Sequence, residues 1–481
     1  MPYEDLREFI RRLEDENELA RIRRAVSPVL EMTEIVVRVF REGGKALLFE
    51  NPRGYSVPVL LNAFGSERRM KLALEVERFE EIGERISSLL DFHHESLIEL
   101  IGNLNKIKKL ASLRPKKVKS APCQENEAEN LEKFPILKCW PKDASKFITL
   151  PVVITKDPET GVLNAGIYRM QVFDDRTTGM HWQVHKHGTL HSQKLREMGG
   201  EKIEVAVAIG VDPAVLYAAS APLPENFSEF TFAGFIRDKR IKMVECKTVD
   251  LLVPATSEIV LEGHVDLSDL RIEGPFGDHT GYYTPPEPYP TFKITHISYR
   301  DDPIYHAMVV GKPPMEDSFL GKATERIFLP LIKLVLPEIV DINLPVEGCF
   351  HNLAVVSIRK RYPGQAKKVM YALWGTGMLS LTKVILVVDH DVNVHDLGEV
   401  VWAVTTRFDP SRDLVVLPPS PTDSLDHSAY IQNLAGKIGI DATRKMREEG
   451  YDRDWPEVVE MGEEVKKRID EFWEEIREFV L

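Results

Sequence analysis

The sequence predicts an α/β (α+β) protein in which a strand-rich central part lies between two parts of mixed α/β character. From about Leu150 to Arg300, strand-like runs dominate, and apolar residues recur at every second position at Ile203, Val205 and Val207. Turn residues separate these runs at short intervals, and long helical patterns are few. This texture is typical of a barrel-like or sandwich β domain.

The N-terminal part predicts helices and short strands in alternation. Leu6, Phe9, Ile10, Leu13 and Leu19 recur at helical spacing and indicate an amphipathic first helix. Strand-like runs follow at 46–50 and 57–62, and a second helical stretch runs from about residue 67 to 90. The basic stretch 103–122 predicts a helix followed by a linker.

The C-terminal part returns to the α/β pattern. Runs 384–389 and 414–418 predict buried strands, with a helix at 396–407 between them. Asp454 is a candidate N-cap of a terminal helix, with Pro456 in its first turn. That helix would carry an apolar stripe made of Val458, Met461, Val465, Ile469, Phe472, Ile476 and Phe479. The stripe either packs against its own domain or pairs with another copy in an oligomer, and the pattern leaves both open.

Composition excludes several classes of protein. A chain of 481 residues with 43% hydrophobic residues predicts two or three domains. The net charge of −13 argues against a general nucleic-acid binder. The four cysteines lack CxxC spacing, which favours a reducing compartment over a disulfide framework or a structural zinc site. We find no apolar run long enough to cross a bilayer and no basic, apolar signal peptide, so we expect a cytoplasmic protein.

A first cluster of candidate functional residues comprises the segments 164–169 and 181–188. A strand that contains Arg169 can direct this side chain into a barrel mouth. Four histidines between 181 and 191 suggest a zinc site, yet HExxH spacing is absent. For any one of them, a structural or surface role is favoured over that of a ligand.

A second cluster surrounds Glu229, a carboxylate in an apolar and aromatic stretch. Such a carboxylate needs a cation or a metal as its partner. Asn164, His187 and Glu229 together offer the oxygen and nitrogen ligands that suit Mn²⁺ or Mg²⁺ bridging to a phosphate. The alternative is that Glu229 lies at the start of a helix and stabilises its dipole.

The third and most specific cluster is the stretch from Glu273 to Tyr283, EGPFGDHTGYY. Glycines and a proline between Glu273 and Asp278 predict a tight, exposed turn. Two neighbouring carboxylates in different surroundings titrate apart, so one of them can hold a proton near neutrality. This stretch is therefore a candidate catalytic loop.

Together these clusters resemble the UbiD family of reversible decarboxylases, and the resemblance covers essentially the whole chain. Its motifs follow the family's order: GIYRMQ, SEFTFAGF, EGPFGDHTGYY, GKPPMED at 311–317 and VVWAVTTRFDP at 400–410. The resemblance implies an N-terminal α/β domain (1–115) and a central split β-barrel of the flavin-reductase type that binds the flavin (116–315). It also implies a C-terminal α/β domain (316–450) and a C-terminal oligomerisation helix (451–481).

The resemblance also implies a cofactor and a set of roles. The cofactor is prenylated FMN, supplied by a flavin prenyltransferase and held with Mn²⁺ or Mg²⁺ and, in many members, K⁺. Asn164, His187 and Glu229 would be the metal and phosphate ligands, and Arg169, Glu273 and Asp278 the catalytic residues. The residues that would line the cofactor are Ile167, Tyr168, Arg169, His181, Trp182, Gln183 and Lys186. For Lys383, a surface or helix-dipole role is favoured over phosphate or substrate contact.

The implied reaction is non-oxidative removal of CO₂ from an aromatic or α,β-unsaturated carboxylic acid. Arg169 would bind the carboxylate, and Asp278, or Glu273 in a relay with it, would supply a proton. Substrate candidates are a polyprenyl hydroxybenzoate, a naphthoate and a small unsaturated acid phosphate (anhydromevalonate phosphate). Alternatives from other classes are a non-catalytic flavin-binding protein and a subunit of a larger carboxylase. A homodimer or higher homo-oligomer is expected; the direction of the reaction stays open.

Overall fold

The computed structural model describes residues 3–90, 112–183 and 186–480. Its elements fall into an N-terminal region, a central region and a C-terminal region, which are described in that order. The predicted helix at the start of 103–122 lies mostly outside the described residues, and so does His185.

The N-terminal region packs helices against a small sheet. Its elements are α1 (Leu6–Asp15), β1 (Leu19–Ile22), α2 (Glu31–Arg41), β2 (Ala46–Phe49), β3 (Val59–Leu61), α3 (Glu67–Leu74) and α4 (Glu80–Leu90). Four of the five residues that set the predicted spacing are the buried side chains of α1, so this helix is confirmed; the fifth, Leu19, begins β1 instead, because the helix ends at Asp15. The helical stretch predicted from residue 67 is divided into two helices.

The central region is rich in strands and carries three helices. Its strands are β4 (Lys116–Val118), β5 (Asn126–Glu127), β6 (Phe147–Ile148), β7 (Val152–Lys156), β8 (Leu163–Ile167), β9 (Met170–Gln171), β10 (Thr177–Gly179), β11 (Lys202–Ile209), β12 (Lys242–Glu245), β13 (Leu252–Pro254), β14 (Ile259–Glu273), β15 (Phe276–Gly277), β16 (Tyr283–Thr284), β17 (Glu287–Tyr299) and β18 (Tyr305–His306). Its helices are α5 (His187–Glu197), α6 (Pro213–Ser220) and α7 (Glu229–Arg237).

The main central sheet has seven antiparallel strands in the order β10-β17-β14-β11-β7-β8, with β5 paired to β17. Within the described residues this order is an open path, not a closed ring, so a closed barrel is not observed. The two longest strands, β14 and β17, form a hairpin that carries the EGPFGD stretch at its tip.

The N-terminal and central regions share a sheet. β18 pairs in parallel with β3, so the N-terminal sheet runs β1-β2-β3-β18. Glu316, which follows β18, accepts hydrogen bonds from the backbone N–H groups of Asn62 (3.1 Å) and Phe64 (2.8 Å). A strand from residues 305–306 therefore completes the N-terminal layer.

The C-terminal region is an α/β layer built on a mixed sheet. Its elements are α8 (Asp317–Val335), β19 (Ile339–Asn343), β20 (Leu353–Ile358), α9 (Gln365–Trp374), β21 (Val384–Asp389), α10 (Leu397–Arg407), β22 (Leu414–Pro421) and β23 (Leu434–Ala442). The strand order is β19-β20-β21-β23-β22, with the three middle strands parallel. The predicted buried strand at 384 and the helix after it are confirmed. The strand at 414 also forms, but it lies at the edge of the sheet and only Val415 in it is buried, so its predicted burial was wrong.

The terminal segment differs from its prediction. Helix does not begin after Asp454; instead α11 covers Glu463–Asp470 and α12 covers Trp473–Val480. The apolar side chains of this segment are largely exposed, with Val459 at 100% and Phe479 at 91%. The stripe therefore does not pack against its own domain. Across the three described stretches, no helix is both long and apolar enough to span a membrane.

Candidate active site

Arg169 lies between β8 and β9 and faces the tip of the β14–β17 hairpin. Its Nε donates to Glu273 Oε1 at 2.9 Å, and its Nη1 donates to Asp278 Oδ2. Nη2 lies 3.3 Å from the Thr284 hydroxyl, and the guanidinium stacks 4.8 Å from the centre of the Phe276 ring. Arg169 thus joins both carboxylates of the hairpin tip.

The turn between the carboxylates is buried, so the expectation of an exposed turn was wrong. Glu273 is 1% exposed and Asp278 5% exposed. The N–H of Gly274 donates to Gln171 Oε1 (2.7 Å), and Gly277 lies against the ring of Trp140, where a Cβ would clash at 2.2 Å. Other parts of the chain cover the hairpin tip and fix both acids.

The surroundings of the two acids govern their protonation. Burial raises the pKa of Glu273, but His181 and Arg169 outweigh this effect and hold the pKa below its ordinary value. Burial likewise raises the pKa of Asp278, but Arg169 and His279 outweigh it and leave that pKa well below its ordinary value. Both acids are ionised while Arg169 binds them. A ligand carboxylate that takes Arg169 would loosen this hold and raise both pKa values.

His181, expected from the resemblance to line the cofactor, belongs to the acid cluster in this structure. Its Nδ1 lies 2.9 Å from Glu273 Oε1, and its ring lies 4.2 Å from that of Tyr289. The Nε2 of His181, the Oε2 of Glu273 and the Nε1 of Trp182 are buried without hydrogen-bond partners among the described residues. Such orphaned polar atoms are costly unless a ligand satisfies them, which fits a polar cofactor or substrate.

A second group of side chains converges at the other end of β8. The nearest terminal amide atom of Asn164 lies 3.0 Å from both His187 Nδ1 and Glu229 Oε1, and those two atoms are 3.8 Å apart. His187 is the first residue of α5 and Glu229 the first residue of α7. Two helix N-termini, which favour anions, therefore meet at this point.

The donor chemistry of this trio fits a divalent cation next to a phosphate. Glu229 uses Oε2 to accept the N–H of Ala165 (2.8 Å), which leaves Oε1 directed at Asn164 and His187. With the amide nitrogen of Asn164 pointing inward, it donates to both neighbours. After a half-turn of the amide, its oxygen lies 3.0 Å from both His187 Nδ1 and Glu229 Oε1, so the trio offers three donor atoms of the kinds that Mn²⁺ and Mg²⁺ accept. The structure brings the predicted set together, and Glu229 lies at a helix start as the alternative interpretation expected; its role as a metal ligand stays a prediction.

The residues between the two groups form a continuous path. Tyr168 is buried, and its hydroxyl accepts the N–H of Gly188 at 3.3 Å. Ile167 and Gln183 are half-buried, and the Gln183 carbonyl accepts the Thr189 hydroxyl (2.7 Å). Burial lowers the pKa of Lys186, the N-cap residue of α5. Asn164 and Arg169 are five residues apart, so the chain spans at most about 17 Å between the groups.

Sequence reasoning missed the C-terminal contribution to this site. The Nε2 of His279 lies 3.0 Å from the Nε2 of His351, which is 72 residues further along the chain. Asp317, the last residue of GKPPMED, also faces His279, and burial raises its pKa to about 6. No local spacing signals such a contact, because it forms only when two regions pack together.

Lys383 does not face these clusters. Its Nζ donates to both carboxylate oxygens of Asp426 at 3.0 Å and to the hydroxyl of Ser428. These partners belong to the C-terminal region. The favoured prediction for Lys383 was a surface or helix-dipole role, and the structure instead shows an ion pair with Asp426.

Comparison with known families identifies the class to which this site belongs. Three models named for 3-octaprenyl-4-hydroxybenzoate carboxy-lyase match in order: the N-terminal domain at residues 10–86, the Rift-related UbiD domain at 116–313 and the C-terminal domain at 318–442. The chain therefore belongs to the UbiD family. An uncharacterised protein of Archaeoglobus fulgidus is 70% identical to it over the full length of both chains.

Solved structures agree with this assignment. The vanillic acid decarboxylase ShVdcCD of Sedimentibacter hydroxybenzoicus in its closed form is 29% identical and covers 98% of this chain and 99% of its own, with a TM-score of 0.87. The same enzyme in its open form is 27% identical and covers 99% of this chain and all of its own, with a TM-score of 0.76. The UbiD-class enzyme HmfF of Pelotomaculum thermopropionicum, solved with FMN, is 30% identical over 94% of this chain and 97% of its own, with a TM-score of 0.79. An evolved dimeric form of HmfF, solved with prFMN, is 29% identical over 96% of this chain and 98% of its own, with a TM-score of 0.78.

Proposed function

We propose that this chain is a prenylated-FMN-dependent decarboxylase that removes CO₂ from an aromatic or α,β-unsaturated carboxylic acid. The observation that carries the proposal is Arg169, held between two buried carboxylates and joined by β8 to the cluster of Asn164, His187 and Glu229. The UbiD-class neighbours, which include structures with FMN and prFMN and a vanillic acid decarboxylase, support the same activity.

The cofactor would extend along β8 with its phosphate at Asn164, His187 and Glu229. We propose that these side chains hold Mn²⁺ or Mg²⁺, with K⁺ as a second cation. The residues that would line the cofactor are Ile167, Tyr168, Arg169, His181, Trp182, Gln183 and Lys186. When bound, prenylated FMN supplies the electron sink that loss of CO₂ from an sp² carbon requires.

The side chains at the hairpin tip then perform three tasks. Arg169 binds the substrate carboxylate through paired, charge-assisted hydrogen bonds and orients it. As this carboxylate draws Arg169 away, Asp278 gains a proton and gives it to the carbon that loses CO₂. Glu273, buried against His181, keeps its hydrogen bond to the Nε of Arg169 and so orients the guanidinium after its contact with Asp278 is released. The cover over the tip excludes water from these steps.

The vanillic acid decarboxylase neighbour favours an aromatic acid, such as a polyprenyl hydroxybenzoate or a naphthoate. The alternative is anhydromevalonate phosphate. A non-catalytic flavin protein is disfavoured because Arg169, Glu273 and Asp278 are all present and joined.

We further propose the domain division 1–115, 116–315, 316–450 and 451–481, which the positions of the three family models support. The central sheet would be a split barrel of the flavin-reductase type. The exposed apolar residues of 451–480 would pair with another copy in a homodimer or higher oligomer. A flavin prenyltransferase would supply the cofactor in the cytoplasm.

The decisive experiment is co-expression with a flavin prenyltransferase and purification in Mn²⁺ and K⁺. We expect a bound mass equal to prenylated FMN, its absorbance, and CO₂ release from one member of a panel of cinnamate, vanillate, 4-hydroxybenzoate and anhydromevalonate phosphate. Folded protein without the bound flavin would refute the proposal. Bound flavin without CO₂ release, or without exchange of labelled CO₂, would instead favour the non-catalytic alternative.

A further inference from the structure

His279 lies beside the proposed acid Asp278 and links it to the C-terminal region. Its backbone N–H and its Nδ1 lie 2.7 and 2.9 Å from Asp278 Oδ1. Its Nε2 lies 3.0 Å from the Nε2 of His351. Two ring nitrogens at this distance share one proton, so one ring donates and the other accepts.

His351 reaches this point from the turn between β19 and β20. Cys349 and Phe350, which precede it, have left-handed backbone conformations with φ of 53° and 48°. The ring of Phe350 lies 5.4 Å from that of His279. The Nδ1 of His351 is buried without a hydrogen-bond partner among the described residues. The contact between the two rings therefore exists only where the central and C-terminal regions meet.

The surroundings of the two rings shift their pKa values in opposite directions. Burial lowers the pKa of His279, but Asp278, Asp317 and Asp423 outweigh it and leave the pKa above its ordinary value. Burial, with His279 and Lys186, lowers the pKa of His351 to about 4, although Asp423 and Asp278 oppose this. His279 therefore binds the extra proton, and neutral His351 accepts its Nε2–H.

We propose that the imidazolium of His279 supplies the proton that Asp278 delivers, and that His351 positions His279 for this task only when the two regions are closed together. The inference rests on the proposed function. Both histidines act through Asp278 and are positioning residues.

The proton balance of the reaction requires such a supply. In each turnover the C–C bond to the carboxylate breaks, CO₂ leaves and a C–H bond forms, so one proton is consumed. The Nδ1–H of His279 passes its proton to Asp278 Oδ1 once the substrate carboxylate draws Arg169 away. His279 then stays neutral with its proton on Nε2, hydrogen-bonded to His351. Solvent restores the imidazolium when the regions separate and product leaves.

A first test needs neither cofactor nor substrate. The protein is labelled with [¹³Cε1]-histidine, and the His279 signal, assigned by its loss in His279→Asn, is titrated by NMR. We expect its pKa to lie above the ordinary value of about 6.5. His351→Phe removes the acceptor and should lower this pKa, while His351→Gln, whose amide oxygen can accept, should restore most of it.

His427→Phe is the matched control. The Nε2 of His427 lies 2.9 Å from the hydroxyl of Thr280, the residue after His279, and it too belongs to the C-terminal region. This variant removes a neighbouring contact across the same interface and leaves the hydrogen bonds between His279 and His351 and between His279 and Asp278 in place. A His279 pKa at or below its ordinary value, or one equally shifted by His427→Phe and His351→Phe, would overturn the pairing.

A second test uses the flavin-loaded enzyme and the acid that the panel identifies. His279→Asn keeps an N–H group toward Asp278 but holds no titrating proton. We expect its kcat to fall by about 10²-fold, at the lower end of the roughly 10²–10⁴-fold typical of general acid catalysis. Wild-type kcat should decline as pH rises through the His279 pKa, and this decline should vanish in the variant, with flavin content unchanged.

The outcomes separate the two proposals. Wild-type protein that binds no prenylated flavin contradicts the proposed function, whatever the NMR titration gives. Wild-type enzyme that turns over, with His279→Asn equal to it at every pH, overturns the proton supply alone.

Discussion

Arg169 donates through Nε to Glu273 Oε1 over 2.9 Å, and neither side chain is more than 10% exposed. A buried ion pair of this kind contributes little net stability, because desolvation offsets the attraction. Its geometry instead serves function, since it fixes a guanidinium whose remaining donors face Asp278 and Thr284. The predictions for the site start from this pair.

Replacing Arg169 with lysine should abolish most turnover while flavin stays bound. Lysine keeps the positive charge but offers a single ammonium in place of a planar fork, so it cannot bind Glu273 and a substrate carboxylate in fixed directions. We expect kcat/KM to fall by about 10²-fold or more. Steady-state kinetics and flavin absorbance of the purified variant measure both quantities. Wild-type kinetics would contradict the role of Arg169 as the carboxylate clamp.

Asp278→Asn should stop proton delivery without loss of the cofactor. The amide has nearly the shape of the acid but cannot pass on a proton, so kcat should fall by roughly 10²–10⁴-fold. Asp302→Asn, at an exposed position, is the control and should match the wild type. Activity above one-tenth of wild type in Asp278→Asn would assign the proton donor to another residue, with Glu273 next to be tested.

Glu229→Gln should lower metal and flavin content together. The amide oxygen can still accept the N–H of Ala165, but the anionic Oε1 that faces Asn164 and His187 is lost. Elemental analysis for manganese and the flavin absorbance after purification provide the measurement. Glu225→Gln is the matched control, because Glu225 pairs on the surface with Lys194 at 3.0 Å. Full occupancy of metal and flavin in Glu229→Gln would refute the ligand assignment.

Much of the fold follows from the sequence because its signals are local. The strand β11 was predicted correctly from its alternating Ile203, Val205 and Val207, although both of its faces are buried from Val205 onward, and the helix α1 from the apolar face that it buries. The helix α6 was missed because all but one of its eight residues are buried, so no amphipathic period exists to detect. The terminal helix was placed too early because Asp454, the candidate N-cap, pairs with Arg447 instead, and helix begins only at Glu463.

The site shows the same division between local and tertiary signals. The EGPFGDHTGYY stretch identified Glu273 and Asp278 from their spacing, but their burial depends on Trp140 and Gln171, which the turn itself does not reveal. The contact of His279 with His351 and Asp317 arises from packing between regions and has no sequence period. The sequence therefore indicated Glu273 and Asp278 as candidates, whereas contacts between distant segments set the pKa values of these groups and of His279.

Glu316 should make stability fall between pH 4.5 and 7. Burial raises its pKa from 4.5 to about 7, although two backbone N–H groups and Arg69 oppose this. Between these values the folded protein keeps a proton that the unfolded chain has released, so the free energy of unfolding decreases as pH rises, by up to about 3 kcal/mol. Above pH 7 both states are ionised and the effect levels off. Urea unfolding at pH 5 and pH 7.5 measures this change. The free energy of unfolding should decrease less between these pH values in Glu316→Gln than in the wild type, and equal decreases would contradict a protonated Glu316.

Charge placed in the terminal apolar stripe should break the proposed oligomer. Phe472 and Ile476 are 37% and 38% exposed and lie on the segment that contains α11 and α12, where Met461 and Phe479 are 61% and 91% exposed. If a second copy covers them, the double change Phe472→Asp with Ile476→Asp buries two unpaired charges and favours separate subunits. Light scattering after gel filtration should show the mass fall to 54.8 kDa. Glu475→Gln, on the same helix, is the control and should keep the wild-type mass. A wild-type protein that is already monomeric would contradict pairing through this segment.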